Sequence, residues 1–198
     1  MKRFKNLEEF IHDSWHLLVK AAIKRSGDYQ TPVIGTLGDG QAAMRIVVLR
    51  EVRLQQRQLV FYTDRRSEKM QELEQNARLN WLFWDARKKV QLRMSGECTW
   101  HIADGDSRKY WERLPVQGRK SYAAEQPPGT KVETPTEGLP EDWSEDMPLE
   151  QTEYAFDNFT VVVCTVDQVQ LLHLHGEGHQ RAAFEWDGSG WKGSWLIP

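Results

Sequence analysis

The stretch FYTDRRSEKM, residues 61–70, crowds Arg65, Arg66, Ser67 and Lys69 at the point where a helical pattern begins. Positive side chains there oppose the helix dipole, whose N-terminal end is itself positive. A bound anion would reverse the sign of that local field. Ser67 caps a helix starting near residue 68, so first-turn N–H groups, a hydroxyl, Lys69 and the arginines together make a cradle for a phosphate monoester. The plainer alternative is an ordinary cap flanked by solvated arginines. Arg45 and Arg50 in RIVVLR, with Arg93 in QLR, stand among apolar strand residues. A guanidinium is costly there unless it has an anionic partner, such as Glu51 or Asp85, or snorkels to the rim. Arg45 and Arg50 are five residues apart, which puts them on opposite faces of a regular strand. Both can serve one site only if a bulge or the strand end turns one of them.

Local charge agrees with an anion-facing region. Residues 41–100 hold twelve Arg or Lys and seven Asp or Glu, a local +5 in a chain of net charge −3. Two histidine groups invite a metal reading. His173-x-His175-x-x-x-His179, with Glu177 nearby, could hold zinc on a strand, and His12 and His16 are four apart on a helix. Strand histidines facing solvent or a pocket are the simpler account of the first group. Cys98 and Cys164 read as small core residues.

The elements that must position these groups follow from periodicity. Asn6 is an N-cap with Glu9 three residues on, and Leu7, Phe10, Ile11, Trp15, Leu18 and Ala22 recur at helical spacing, so residues 1–27 form an N-terminal helical segment ended by Gly27. From residue 31 the pattern changes to short runs rich in Val, Ile, Leu and aromatics: 31–37, 42–52, 58–63, 78–85, 89–102, 159–175, 180–186 and 190–197. Gly38-Asp39-Gly40 is a turn. Met70, Leu73 and Ala77 predict a short helix, and Asp104 or Asp106 caps another over about 104–114. Seven or eight strands against three helices predict a mainly β protein, an antiparallel sheet or barrel with flanking helices. Residues 125–156 are an acidic, proline-bearing excursion, either a solvated loop or a lid.

Length fits one domain, 1–198. The overall charge gives no reason to expect nucleic acid or an anionic membrane as partner. No apolar stretch approaches the roughly 18 residues of a membrane span, and His12, Asp13 and Lys20 interrupt any signal-peptide run. With two cysteines and no disulfide framework, the expected location is cytoplasmic.

Taken in order, RIVVLR (45–50), FYTD with RSEK (61–69), QLRMSG (91–96) and a C-terminal His179, Arg181, Trp191, Leu196, Pro198 pattern resemble the pyridoxamine 5′-phosphate oxidase superfamily of FMN-binding split β-barrels, nearest to its oxidase-related branch. The resemblance implies a six-stranded antiparallel Greek-key barrel with flanking helices and a homodimer whose flavin sites lie at the subunit interface. It implies FMN as cofactor, its phosphate held by Arg45, Ser67 and Lys69 with Arg66 as helper. Val48, Tyr62 and Thr63 would contact the ribityl chain and ring, and Gln91 would reach the flavin from the partner subunit. Arg50 would contact the FMN as well and, with Tyr110, would hold a small-molecule substrate's phosphate, and His179 and Arg181 would cover its amine side. No protein acid or base is required, because the redox chemistry is the flavin's. The pattern also departs from the vitamin B6 enzyme. In YWERLP (110–115) Leu114 precedes the proline and Arg113 stands one residue back, about 100° of helical rotation away. Ser121 is an uncertain counterpart of the family's later serine. His173 and Ala183 stand where a flavin-facing tryptophan and an arginine are expected. The resemblance therefore implies an FMN-dependent oxidoreductase, the alternative being a flavin-binding carrier or sensor without turnover.

Overall fold

A computed structural model describes residues 4–38 and 40–198. Asp39 of the expected turn and the first three residues of the N-terminal segment lie outside the described residues. The first helix, α1 (Leu7–Lys24), starts as its sequence predicts: the Asn6 side chain accepts the Glu9 N–H at 2.8 Å. It ends earlier than Gly27, because Arg25 already takes the left-handed conformation with φ of 49°. Phe10, Ile11, Trp15, Leu18, Ala21 and Ala22 form its buried stripe.

Among the described residues nine strands follow instead of seven or eight, and they form an open sheet rather than a closed six-stranded barrel. They are β1 (Val33–Gly38), β2 (Gln41–Ile46), β3 (Glu51–Arg53), β4 (Gln58–Asp64), β5 (Arg78–Asp85), β6 (Val90–Ile102), β7 (Phe159–His173), β8 (Gln180–Trp186) and β9 (Trp191–Leu196). The order is β2-β1-β5-β6-β7-β4-β3, with β8 and β9 added beside β7. Every pairing is antiparallel. One edge of β7 pairs with β6 along its length. The other edge pairs first with β4 (Phe159–Thr165) and then with β8 (Gln168–His173).

The extra strand arises because 42–52 is not one strand. After Ile46 the backbone leaves β1, and the N–H groups of Val47 and Leu49 go to the carbonyls of Pro32 and Gln30. Val166 and Val169 are both buried although three apart. A register shift opposite Ser95 and Gly96 leaves Asp167 unpaired in the ladder, which returns both valines to the core face. The freed Asp167 carboxylate takes both terminal nitrogens of Arg78, at 2.7 and 2.9 Å.

Two apolar clusters sandwich the β4–β7 pair. One contains α1, α2 (Glu68–Gln75) and the core face of the sheet. The other packs Trp111, Tyr122, Ala155 and Phe156 onto Val60, Phe159, Val161 and Val163. These partners come from α3 (Gly105–Trp111) and two 3-10 turns, Lys120–Tyr122 and Leu149–Asn158. The predicted 104–114 helix is thus a shorter α3, followed by α4 (Val116–Arg119). The acidic excursion is irregular only to residue 148, since 149–158 folds as a 3-10 helix. No helix among the described residues is long and apolar enough to cross a membrane.

Candidate functional site

Strand β4 carries two neighbouring groups of side chains. Thr63 and Ser67 are buried where β4 turns into α2, with their hydroxyl oxygens 3.4 Å apart. The Lys69 ammonium donates to Thr63 Oγ1 at 3.0 Å. Lys69 is half-buried and has no carboxylate within ion-pair distance among the described residues. Burial first, and the positive charge of Arg45 second, push its pKa down. A desolvated cation beside another cation, bound to the Thr63 hydroxyl with the Ser67 hydroxyl next to it, is a donor set that fits a phosphate.

Three details differ from expectation. Ser67 occupies the N-cap position of α2, yet its hydroxyl donates backward to the Asp64 carbonyl at 2.7 Å and caps nothing. The partner of Arg45 is neither Glu51 nor Asp85 but Glu72, at 2.8 Å, and Thr36 bridges the two. Glu72 comes from α2, one turn beyond Lys69 on the same helical face; that i, i+3 spacing was the available signal for it. Arg66 is turned away from the hydroxyls. It grips the Asp64 carboxylate at 2.8 Å and donates to the carbonyls of Ala124 (2.9 Å) and Glu125 (3.2 Å), fastening the start of the acidic segment.

The second group lies one residue back along β4. Val48, Arg50 and Tyr62 line a cavity of about 580 Å³, together with Arg25, Glu51, Tyr110, Arg113 and Leu114. The end of β2 resolves the five-residue problem, sending Arg45 to α2 and Arg50 to this cavity. Arg50 is exposed and stacks over the Tyr62 ring at 5.3 Å. Desolvation raises the Tyr62 phenol to about 12, so it is protonated at neutral pH. Tyr110 is not free: it donates to Glu51 at 2.7 Å and accepts from Arg53, which also binds Glu51 at 3.0 Å. Burial alone would raise the Glu51 pKa, but the hydrogen bonds from Tyr110 and Arg53 outweigh it and hold the carboxyl below its usual range. Arg113 lines the same cavity despite its shifted position, because α3 ends at Trp111 and helical rotation no longer applies. Sequence reading passed over Glu51 and Arg53 as members of this group, since only the β3–β4 pairing brings them to α3.

Gln91 and Arg181 belong to neither group. The ladder sets Trp84, Gln91, Leu172, Arg181 and Leu196 in one row, on the face opposite to that of Arg45. Met44, Ile46, Leu82 and Trp84 are exposed on that same face, at 73%, 68%, 38% and 43%. His179 lines a separate cavity with Phe4, Arg181 and Trp195. His173 is buried with Nδ1 unpaired, and its pKa is lowered, chiefly by desolvation. Among the described residues no group of three or more His, Cys, Asp or Glu is arranged to hold a metal ion.

Residues 12–102, which include the cradle and most of the cavity strands, match the family model described as Pyridoxamine 5'-phosphate oxidase, FMN-binding domain. Over those residues the chain is similar to this family. FMN is the cofactor that the matched domain binds. A pyridoxine/pyridoxamine 5'-phosphate oxidase of Trichormus variabilis is 33% identical over 81 residues, 41% of this chain and 36% of the relative. Its counterpart in Thermosynechococcus vestitus is 34% identical over 87 residues, 43% of this chain and 40% of the relative. The match thus spans less than half the length of these curated relatives. A pyridoxamine 5'-phosphate oxidase-related, FMN binding protein from Nostoc punctiforme superposes with a TM-score of 0.70 at 20% identity, covering 100% of both chains. PhzG from Burkholderia lata, in complex with tetrahydrophenazine-1-carboxylic acid, gives 0.69 at 18% identity over 95% of this chain and 92% of its own. These two likenesses establish the fold, a mainly antiparallel β architecture with flanking helices shared with those two proteins.

Proposed function

We propose that the protein is an FMN-dependent oxidoreductase acting on a small molecule, with the FMN phosphate held by Lys69, Ser67, Thr63 and Arg45. The observation that carries this is the half-buried Lys69 ammonium, which has no carboxylate within ion-pair distance among the described residues and donates to the Thr63 hydroxyl beside Ser67, within the matched domain. Arg45 contributes by shifting from Glu72 toward the anion. When bound, FMN supplies the hydride-accepting chemistry. The chain's own residues bind and orient. Lys69 neutralises phosphate charge, Thr63 and Ser67 offer hydroxyls, and Tyr62 and Val48, which line the neighbouring cavity, contact the ribityl chain and ring. Arg50 presents a stacked guanidinium to the substrate. Arg66 holds the acidic segment rather than the phosphate.

The same proposal includes a cytoplasmic homodimer formed through the exposed face of Met44, Ile46, Leu82 and Trp84. That face carries Gln91 and Arg181, so pairing presents both, with His179 nearby, to the partner subunit's flavin. Monodisperse monomer in sedimentation equilibrium at micromolar concentration would remove this part. A flavin carrier without turnover is the second reading, favoured by the engagement of the Tyr110 hydroxyl with Glu51. Steady-state oxygen consumption with pyridoxamine 5′-phosphate and flavin reduction by NADPH separate the two.

The decisive experiment is an absorbance spectrum of the purified protein with mass identification of any released chromophore. Lys69→Ala is expected to weaken FMN binding by about 10- to 100-fold, the loss of about 1.5–3 kcal/mol that accompanies removal of a charged hydrogen-bond donor. Its urea midpoint without FMN should stay close to wild type. Unchanged flavin retention in this variant would mean that the phosphate lies elsewhere.

A further inference from the structure

The phosphate cradle contains an anion of its own. Glu72, one turn beyond Lys69 on α2, holds Arg45 Nη2 at 2.8 Å. Thr36 bridges the pair, donating to the carboxylate and accepting from Arg45 Nη1, which also donates to the Ala43 carbonyl at 3.0 Å. Both terminal nitrogens of Arg45 are thus committed within the chain. Thr36 is buried, and only 13% of the Glu72 side chain is exposed. Withdrawing a carboxylate from water is costly, and here the guanidinium and the hydroxyl offset that cost.

Gly38, the last residue of β1, is an independent sign that the carboxylate has a shaped seat. A Cβ there would lie 2.8 Å from Glu72 Oε1 and 2.9 Å from its Cγ. The backbone at Gly38 is not left-handed, so its conformation does not itself demand glycine. Any larger residue at this position would push the Glu72 side chain out of its place beside Arg45. Glu72 also acts on the Lys69 ammonium, partly offsetting burial and Arg45, which both push that pKa down.

A guanidinium fork fits carboxylate and phosphate alike. We infer that Glu72 is a built-in competitor for Arg45, which limits how tightly the phosphate of FMN is held and keeps the cofactor exchangeable. This rests on the reading of Lys69, Ser67, Thr63 and Arg45 as the phosphate cradle, and it adds the regulation of that site by a residue that does not bind the cofactor. A phosphate monoester carries a charge of about −1.5 to −2 at neutral pH. The carboxylate both occupies Arg45 and repels that charge. Apparent affinity then scales with the fraction of molecules in which Arg45 is free. Riboflavin, with the same ring and ribityl chain but no phosphate, is indifferent to the competition.

The test is a fluorescence titration of the full chain, stripped of any flavin, with FMN and with riboflavin. Glu72→Gln keeps the side chain's length and removes its charge. It should tighten FMN five-fold or more and change riboflavin less than two-fold. Gly38→Ala, which displaces the carboxylate without removing it, should tighten FMN two-fold or more. Glu74→Gln removes the same charge from an exposed position on the same helix and should leave FMN within two-fold of wild type. Unchanged or weaker FMN binding in Glu72→Gln, an equal gain for riboflavin, or an equal gain in Glu74→Gln would overturn the inference. A wild-type chain that binds neither flavin sinks the oxidoreductase reading and this inference together. One that binds FMN without the expected gain in Glu72→Gln loses this inference alone.

Discussion

Gly96→Ala is expected to destabilise the protein by about 3 kcal/mol, the upper range for forcing atoms into a packed site. The reason is close approach of backbone to backbone. A Cβ at Gly96 would lie 2.1 Å from the Thr165 carbonyl oxygen and 2.8 Å from Val166 Cα. No rotamer change relieves such a clash, because both obstacles are main chain. Gly96 stands where the β6–β7 register shifts, and the shift is what lets Val166 and Val169 share the core face. Moving the strands apart to admit a methyl group would therefore also disturb two buried valines. Against a total stability of about 5–15 kcal/mol this is a large share. Urea unfolding of Gly96→Ala beside a Ser95→Ala control reads it, and a midpoint equal to the control's would contradict the packing argument.

Arg119→Met should cost about 3 kcal/mol as well, and its damage should be local. Arg119 is 3% exposed, and it donates to the Leu149 carbonyl (3.1 Å), Thr152 Oγ1 (2.9 Å), Glu153 (2.8 Å) and the Trp111 carbonyl (3.3 Å). Its guanidinium also lies 4.4 Å from the Trp111 ring centroid. Hydrogen bonds to a charged group contribute about 1.5–3 kcal/mol each when unmade singly, and losses within one network do not add. Methionine keeps most of the stem's volume, so packing should survive while the polar ties are lost. Those ties fasten the 3-10 helix Leu149–Asn158 to α3 and α4. The expected outcome is new protease cleavage between residues 140 and 158 under native conditions, with a lowered urea midpoint. Protection equal to wild type in both measurements would show that Arg108, which also binds Glu153 at 2.5 Å, suffices.

What could be read from the sequence was what depends on neighbours along the chain. The Asn6 cap, the apolar stripe of α1 and the apolar and aromatic run at 78–85 are local, and the structure follows them. The continuous apolar run Leu59-Val60-Phe61 is local too, and it is buried on both faces because β4 lies between the two clusters. Partners brought from a distance were not legible. Glu72 reaches Arg45 only after α2 packs on β1, and Arg119 finds its acceptors on Leu149, Thr152 and Glu153 thirty or more residues downstream. Nothing in the string QGRK distinguishes a buried arginine from a solvated one. The break in 42–52 was hidden for a similar reason, since carbonyls of the preceding connection, not a proline or glycine, end β2. In the candidate site the cations were visible by type, but the carboxylates that neutralise some of them and spare others were not.

The shared strand β7 has a consequence for how the chain is made. β4 is finished at Asp64, yet it pairs with Phe159–Thr165, about a hundred residues later. At about 5–20 residues per second of synthesis, that interval lasts on the order of 5–20 s. During it the β1–β2 hairpin and the β5–β6 pair can assemble on the ribosome from local contacts alone. The Leu59-Val60-Phe61 edge, by contrast, waits without its mate. A nascent chain of this protein therefore carries an apolar, unpaired strand edge while about a hundred further residues are made, the kind of surface on which chaperones act and aggregates begin.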